Sequence, residues 1–573
     1  MSINTIKQTI QTALEKLGIH TDTEIELEHP AELEHGDYAS NIAMKIAGTQ
    51  DMNPRELAEE IVKKIEQNLP EKIDSVTVAG PGFINFHFSP DFFPDSIARI
   101  QDQGDAFGSN DRLKGRKTIF EYTTQNLLKE FHIGHLMSHV IGNAIANIYE
   151  FQGAEVKRDS YQGDVGMHIA KAVWMLANIS TEDRFSKKWK TSREKANYLG
   201  GMYAAGDEAF NESEANKADI EKVNELIYNQ SDKEINEIYE KACQWSLESY
   251  ENLYDRLGVE LDWQFFESDT APVGKEIVEE GLEEDIFEEN DSAVIYRGDE
   301  EKGLHTRVFI NSAGIPTYEA KDLGLMQIKH DAYPYNEAVI FTANEQNEYF
   351  KVVLAAAGEV LPELADKTTH IGHGMLQLAD GKMSSRTGDV LSAEALLDTV
   401  KDKAAVKVAE RLDADDSDPV TENIAQAAIR YAILKQDASK NVVFDTQQSL
   451  SFEGNSGPYL QYTYARCQSL LQKAADEGFS PDTSLRGSAE ITDIERLLYR
   501  FPTTVEQSAR NYAPHLLATY LHDLARQFNT FYGNTQIVIE SDETPYRLSL
   551  VQATAQVLKN GLNLLGILAP EEM

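Results

Sequence analysis

The chain has 573 residues, 41% of them hydrophobic and 9% aromatic, and carries 53 Lys+Arg against 95 Asp+Glu for a net charge of −42. That apolar content excludes a disordered chain, and the length predicts two to four domains, since single cores rarely grow beyond about 250–300 residues. No apolar run approaches the ~20 residues of a membrane-spanning helix, so no membrane partner is expected, and two distant cysteines (Cys243 and Cys467) exclude a zinc cluster and fit the reducing cytoplasm.

Met1 to Gly18 alternates polar and apolar residues at helical spacing, without the unbroken apolar core of a secretory signal. Residues 1–100 read as an α+β domain. A helix runs over Ile3 to Leu17, and a second opens at Pro54 with Asn53 as its cap. A period-two run follows from Val76 through Phe88, turning at Gly80-Pro81-Gly82. Residues 101–395 alternate strands and helices. Lys117 to Tyr122 reads as a strand, Gly134 to Phe151 as a helix and Glu155 to Tyr161 as a strand, a βαβ unit that implies a parallel sheet. A helical insertion spans about 168–257, after which the alternation resumes with Leu304 to Asn311, a helix around Lys321 to Ile328 and the strand Glu337 to Phe341. Residues 396–573 read as a helix bundle, with apolar residues at i, i+3 and i+4 in Ile424 to Leu434, Tyr459 to Ala475 and Pro514 to Phe531. The acidic stretches Glu279 to Glu289 and Asp413 to Asp418 read as solvated surface.

The richest chemistry lies in Glu121 to His135, where the first strand of the βαβ unit hands over to its helix. Ligands bind at this carboxyl edge of open α/β sheets, and the helix start offers free N–H groups to a phosphate. His132-Ile133-Gly134-His135 fits that place: Gly134 admits close approach, and two imidazoles can donate to charge developing on a phosphate. The same four letters recur at His370 to His373, but there they run into the strand-like Gly374 to Leu378 with no strand-to-helix junction, so that copy reads as structural. Downstream, Gly381-Lys382-Met383-Ser384-Ser385-Arg386 forms a cationic loop suited to closing over a triphosphate. Three histidines, His132, His135 and His139, fall near one helical face, but no HExxH occurs and no metal site is expected; no P-loop motif occurs either.

The ordered pair of His132 to His135 and Lys382 to Arg386 resembles the HIGH and KMSK signatures of class I aminoacyl-tRNA synthetases. Further segments are similar to the arginyl family across nearly the whole chain: Thr124-Gln125-Asn126 with Lys129, Phe151-Gln152-Gly153, Gly163-Asp164-Val165-Gly166, Thr317 to Asp322, Ser451 to Tyr462, and the ending Pro570-Glu571-Glu572-Met573. Departures are Gln125 for the family's Pro, which is expected to loosen the backbone, Met137 for a basic residue, Val165 for Trp, and Arg386 for a second Lys.

The resemblance implies a Rossmann-type, doubly wound parallel-sheet catalytic domain over 101–395, between an N-terminal α+β tRNA-binding domain (1–100) and a C-terminal α-helical anticodon-binding bundle (396–573). It implies an arginine–tRNA ligase that uses ATP as substrate with Mg²⁺, takes L-arginine and tRNA(Arg), activates arginine only with tRNA bound, and works as a monomer. His132, His135, Lys129, Lys382 and Arg386 take the catalytic roles. ATP is held by His132, Gly134, His135, Lys382, Met383, Ser384 and Ser385. Arginine is held by Glu121, Thr124, Asn126, Tyr318, Asp322 and Gln346, a set whose acids and amide oxygens suit a planar guanidinium. RNA contacts fall on Phe83 and Asn85 near the tRNA elbow, and on Tyr459, Tyr462, Tyr532 and Met573 near the anticodon. The negative net charge requires such contacts to be local patches rather than a general positive field. Two alternatives stay open: another class I synthetase or nucleotidyltransferase, and a non-catalytic paralogue.

Overall fold

A computed structural model describes residues 3–30, 32, 35–258, 260–379, 391–409, 419–486 and 491–573. The chain begins with helix α1 (Ile3–Lys16), strand β1 (Tyr38–Ser40), helix α2 (Pro54–Glu66), and strands β2 (Ile73–Ala79) and β3 (Phe83–Phe88). The Asn53 side chain accepts a hydrogen bond from the Arg55 N–H, satisfying one free donor at the start of α2. The three strands form an antiparallel sheet in the order β1-β3-β2. Its inner face, carrying Ile84, Phe86 and Phe88, packs on Ile6, Ile10, Leu57 and Ile61 of the two helices, and Tyr499 from the far end of the chain closes this core. The buried Asp37 accepts from Arg496 at 3.2 Å and from the Tyr499 hydroxyl at 3.2 Å, so the first domain docks on the last through a satisfied charge.

The central sheet is parallel. Strands β4 (Lys117–Glu121), β5 (Glu155–Gly163), β6 (Trp263–Phe266), β10 (Glu337–Ala343) and β11 (Thr368–His373) lie in the order β6-β5-β4-β10-β11. The chain therefore winds outward from β4 to one edge, returns, and winds to the other, a doubly wound sheet whose switch point lies between β4 and β10. Burial on both faces explains the continuous apolar strands: Ile119 packs with Tyr161, Phe265 and Leu325 on one side, while Phe120 packs with Val140 and Phe341 on the other. Helix α3 (Ile133–Phe151) makes the first crossover. The insertion consists of α4 (Met167–Ala177), α5 (Ser192–Glu212), α6 (Glu214–Asn229) and α7 (Lys233–Leu257), with one short helical turn at Thr181–Arg184. Helix α8 (Glu267–Glu283) follows β6.

Leu304 to Asn311 does not continue the parallel alternation. Strands β7 (Glu288–Asn290), β8 (Ala293–Tyr296) and β9 (Arg307–Ile310) form a separate antiparallel ladder. Asp291 and Ser292, both with positive φ, make the β7–β8 hairpin turn. The one-sided burial of β9, with Phe309 inside and Val308 exposed, belongs to a ladder with one wet face.

Helix α9 (Tyr318–Ala332) leads into β10, and α10 (Asn347–Val360) follows it. Beyond the sheet the described chain is mainly helical: α11 (Ala393–Ala409), α12 (Pro419–Leu434), α13 (Gly457–Asp476), α14 (Phe501–Arg510), α15 (Pro514–Asn534) and α16 (Thr544–Leu564). These helices share one continuous core with α3 and the insertion. The end of α7 is gripped by this bundle. Arg256 pairs with Asp398 at 2.7 Å and Glu422 at 3.0 Å, the Gln426 amide donates to the Arg256 carbonyl at 2.5 Å, and Arg430 donates to the Leu257 carbonyl at 2.5 Å.

Candidate active site

Residues 122–132 leave the carboxyl end of β4 beside the switch point. Gln125–Asn126 adds a short parallel pairing to Gln162–Gly163 of β5, and the Leu127 N–H donates to the Gly163 carbonyl at 2.9 Å. Leu128 then takes a left-handed φ of +61°, a conformation costing of order 1–3 kcal/mol for such a residue and kept only where its surroundings fix it. Gln125 does not loosen this segment: its buried amide donates to the Tyr254 hydroxyl of α7, so a side-chain tether replaces the ring constraint of a proline.

His132 is the N-cap of α3. Its Nδ1 accepts from the Gly134 N–H at 3.1 Å, and the Nδ1 of His135 accepts from the His132 N–H at 3.4 Å. The two rings stack with centroids 3.7 Å apart. Because each Nδ1 is an acceptor, each neutral imidazole carries its hydrogen on Nε2, which leaves two N–H donors for a ligand. Burial, reinforced by the Lys129 ammonium, pushes the His132 pKa below its ordinary value; burial, with His132 and Lys129 adding to it, pushes His135 further down. At neutral pH the pair is therefore uncharged and donating. Gly134 is required here, because a Cβ would lie 2.9 Å from the His132 Cε1 and displace the ring.

The second His-Ile-Gly-His is the end of β11, so it is strand where the first is a helix start. It is not remote from the first: the Ser138 hydroxyl of α3 lies 2.6 Å from the His373 Nε2, and His373 Nδ1 lies 2.7 Å from the Gly374 carbonyl. The strand read over Gly374 to Leu378 shortens to Leu376–Leu378, paired in parallel with Val442–Phe444. Lys382, Met383, Ser384, Ser385 and Arg386 lie outside the described residues. The chain that follows them is tied to the first motif, with Ile133 N–H donating to the Leu391 carbonyl at 3.2 Å and Ala393 N–H to the Phe131 carbonyl at 2.8 Å. Lys129 places its ammonium 4.5 Å over the ring of Tyr203 in α5.

Four acids gather beside this edge. Glu121, at the end of β4, accepts from Thr124 Oγ1 at 2.9 Å and pairs with the buried Lys329, which also meets Asp159 at 2.7 Å. Glu267, at the start of α8, pairs with Lys321 at 2.6 Å. Asp322 differs. It accepts from the Tyr349 hydroxyl at 2.6 Å but has no cationic partner among the described residues. Burial pushes its carboxyl up to about 8, against the Tyr349 hydrogen bond and with Glu121 and Glu267 adding to the rise. Such a site lacks a positive charge and has a hydrogen-bonded oxygen ready to meet one.

The other expected arginine contacts are placed unequally. Asn126 and Glu267 flank Gly163, whose missing Cβ leaves room for the Asn126 amide. Tyr318, the first residue of α9 and 52% exposed, sits over Lys321 at 5.1 Å. Gln346 is exposed in the turn after β10. Sequence reasoning missed Lys329, Asp159, Glu267, Lys321 and Tyr349. A lysine seven residues beyond Asp322, amid the apolar face of α9, was the available signal for Lys329.

The RNA candidates fall into two groups. Phe83 and Asn85 share the outer face of β3, where Phe83 is half-buried and Asn85 only 4% exposed. Tyr459 accepts from the Asn529 amide at 3.0 Å, and the Arg466 guanidinium lies 4.8 Å from the Tyr462 ring and 4.9 Å from the Tyr532 ring. Tyr532 is 42% exposed, and Met573 is half-buried against the bundle core.

A doubly wound sheet with a histidine-capped helix at its switch point, continued into a helical bundle, is the architecture of a class I aminoacyl-tRNA synthetase. The family profile for the class I (R) tRNA synthetase catalytic domain matches residues 99–446, with an arginyl-tRNA synthetase N-terminal domain over 4–88 and a DALR anticodon-binding domain over 460–573. The chain is 31% identical to the arginine–tRNA ligase of Fusobacterium nucleatum, covering 93% of this chain and 92% of that one. It is 30% identical to that of Phocaeicola vulgatus over 91% of each. Its fold matches the solved Thermus thermophilus arginyl-tRNA synthetase over the whole of both chains, with a TM-score of 0.81 at 24% identity. The chain belongs to the arginyl-tRNA synthetase family: it is a ligase that attaches arginine to tRNA using ATP.

Proposed function

We propose that arginine is read by Asp322 and activated at the switch point beside His132 and His135. The guanidinium enters as the missing partner of Asp322, with Tyr318, Asn126, Thr124, Gln346 and Glu121 completing the pocket. Since Glu121 and Glu267 already hold ammonium groups, the fresh charge recognition falls to Asp322. An oxygen of the arginine carboxylate attacks the α-phosphorus of ATP, the bond to the bridging oxygen breaks, and pyrophosphate leaves. The Nε2–H groups of His132 and His135 donate to the charge on the reacting phosphate, and Lys129, Lys382 and Arg386 neutralise the leaving group. Gly134, Met383, Ser384 and Ser385 complete the ATP site. A ribose hydroxyl at the tRNA terminus then attacks the adenylate carbonyl, the carbon–oxygen bond to the phosphate breaks, and AMP leaves. No protein nucleophile is needed, because positioning and electrostatics carry both steps.

Mg²⁺ would arrive bound to the ATP phosphates, with phosphate oxygens as its ligands. No cluster of metal-ligating side chains occurs among the described residues, and the ion supplies additional charge neutralisation when bound. No helix among the described residues is long and apolar enough to cross a membrane, and work in the reducing cytoplasm, as a monomer in this reading, accords for its redox state with the two buried, free cysteines. Residues 1–100 would take the tRNA elbow, with the half-buried Phe83 offering a ring edge and Asn85 answering only after local movement. Residues 396–573 would take the anticodon through Tyr459, Tyr462, Tyr532 and Met573.

The uncompensated carboxyl of Asp322 is the observation that carries this reading. Replacing Asp322 with Asn should raise the KM for arginine by about 100-fold or more while leaving the KM for ATP within about twofold. An unchanged KM for arginine in steady-state charging overturns it.

A further inference from the structure

One face of α7 grips the loop that carries Lys129. Ser246, Tyr250 and Tyr254 stand four residues apart, so they line up along one side of the helix. All three are buried, and each makes a polar contact with the same short segment. The Tyr254 hydroxyl accepts from the Gln125 amide. The Tyr250 hydroxyl lies 2.9 Å from the Asn126 carbonyl and 2.8 Å from the Lys129 carbonyl, so one proton is shared between them. The Ser246 hydroxyl accepts from the Leu128 N–H at 3.1 Å. The Tyr250 and Ser246 contacts satisfy backbone groups of residues 126–129, which include the left-handed Leu128, while Tyr254 holds the Gln125 side chain. Tyr203, from the neighbouring α5, supplies the ring beneath the Lys129 ammonium.

We propose that Ser246, Tyr250 and Tyr254 are positioning residues for arginine activation, holding the backbone of 125–129 so that Lys129 points at the phosphates. The inference rests on the reading of Lys129 given above and adds a function to the insertion, which otherwise looks like decoration on the sheet. A displacement of about 1 Å at a reacting group can cost on the order of 10²-fold, and removing one of three tethers should cost part of that.

The test is arginine-dependent pyrophosphate exchange in the full-length enzyme with saturating tRNA. Tyr250→Phe keeps the ring and removes the hydroxyl. We expect kcat to fall about tenfold, with the KM for tRNA unchanged and the melting temperature within about 2 °C of wild type. In a Lys129→Ala background the same substitution should cost less than about twofold, because the group it positions is gone. Ser246→Ala, which removes the acceptor for the Leu128 N–H, carries the same pair of measurements if Tyr250→Phe does not fold. Wild-type exchange in the tether variant, or an undiminished tenfold loss in the Lys129→Ala background, overturns the proposal. Wild-type activity of Lys129→Ala alone would refute the role of Lys129 itself, a result separable from the behaviour of the tethers.

Discussion

Arginine capture should follow the ionisation of Asp322. In the free enzyme burial holds this carboxyl up to about 8, so near neutrality most molecules carry the proton there. In the proposed reading the guanidinium pairs with the carboxylate, so binding must expel that proton, and kcat/KM for arginine reports the free-enzyme group. Below the folded pKa the ionised fraction rises about tenfold per pH unit, from about one in a hundred at pH 6 to about one in ten at pH 7, and levels off above pH 8. The histidines titrate away from the upper part of this window, because burial and the Lys129 ammonium push both His132 and His135 below their ordinary value. The assay is charging at subsaturating arginine across pH 6 to 9, with Asp322→Asn as the flat, slow reference. Stability gives an independent reading with the opposite sign. In the unfolded chain Asp322 ionises at the ordinary carboxylate value, whereas the folded chain keeps the proton until about 8. Across that window the folded state binds more protons, so this group's contribution to stability is lost as pH rises. Free Asp322→Asn should therefore gain in melting temperature over wild type from pH 5 to pH 8. A kcat/KM for arginine that is flat between pH 6 and 8 would refute the assignment of Asp322 as the charge reader.

Three further outcomes follow from the geometry. His132→Ala should slow adenylate formation by about 10²–10³, measured as single-turnover consumption of ATP, because one preorganised donor to the reacting phosphate disappears. Gly134→Ala should lower kcat with little change in the KM for arginine, since its Cβ presses on the His132 ring and not on the pocket. Lys329→Met leaves Glu121 and Asp159 buried without their cation and should cost about 3–5 kcal/mol in denaturant unfolding; a loss below about 1 kcal/mol would show that the pair of acids does not need it.

The sequence revealed the site wherever one local rule governed it. The βαβ unit was legible because the short run Lys117 to Tyr122 hands over to a long apolar helix that Gly153 closes before the chain resumes as a second strand. The capping role of His132 was not, because imidazole is an unusual cap and only the geometry shows Nδ1 turned to the backbone. Leu304 to Asn311 misled because a half-buried strand and a fully buried one differ little over four residues; Val308 facing water is what separates them. Met137 and Val165, which stand where the family carries a basic residue and a Trp, both place their side chains in the apolar core. The pairing of Glu121 with Lys329 joins residues 208 positions apart, which no local pattern could announce.

The grip of the bundle on the end of α7 bears on how this enzyme can be divided. A fragment stopping after the parallel sheet would release Arg256 from Asp398 and Glu422 and strip the Arg256 and Leu257 carbonyls of their donors. The helix would fray from that end, and within two turns of the fray stand Tyr250 and Tyr254 with their hold on 125–129. A chain trimmed to its nucleotide-binding half is therefore not a smaller synthetase. Evolution could lengthen or decorate the anticodon end of this protein, but it could not discard that end and keep the chemistry.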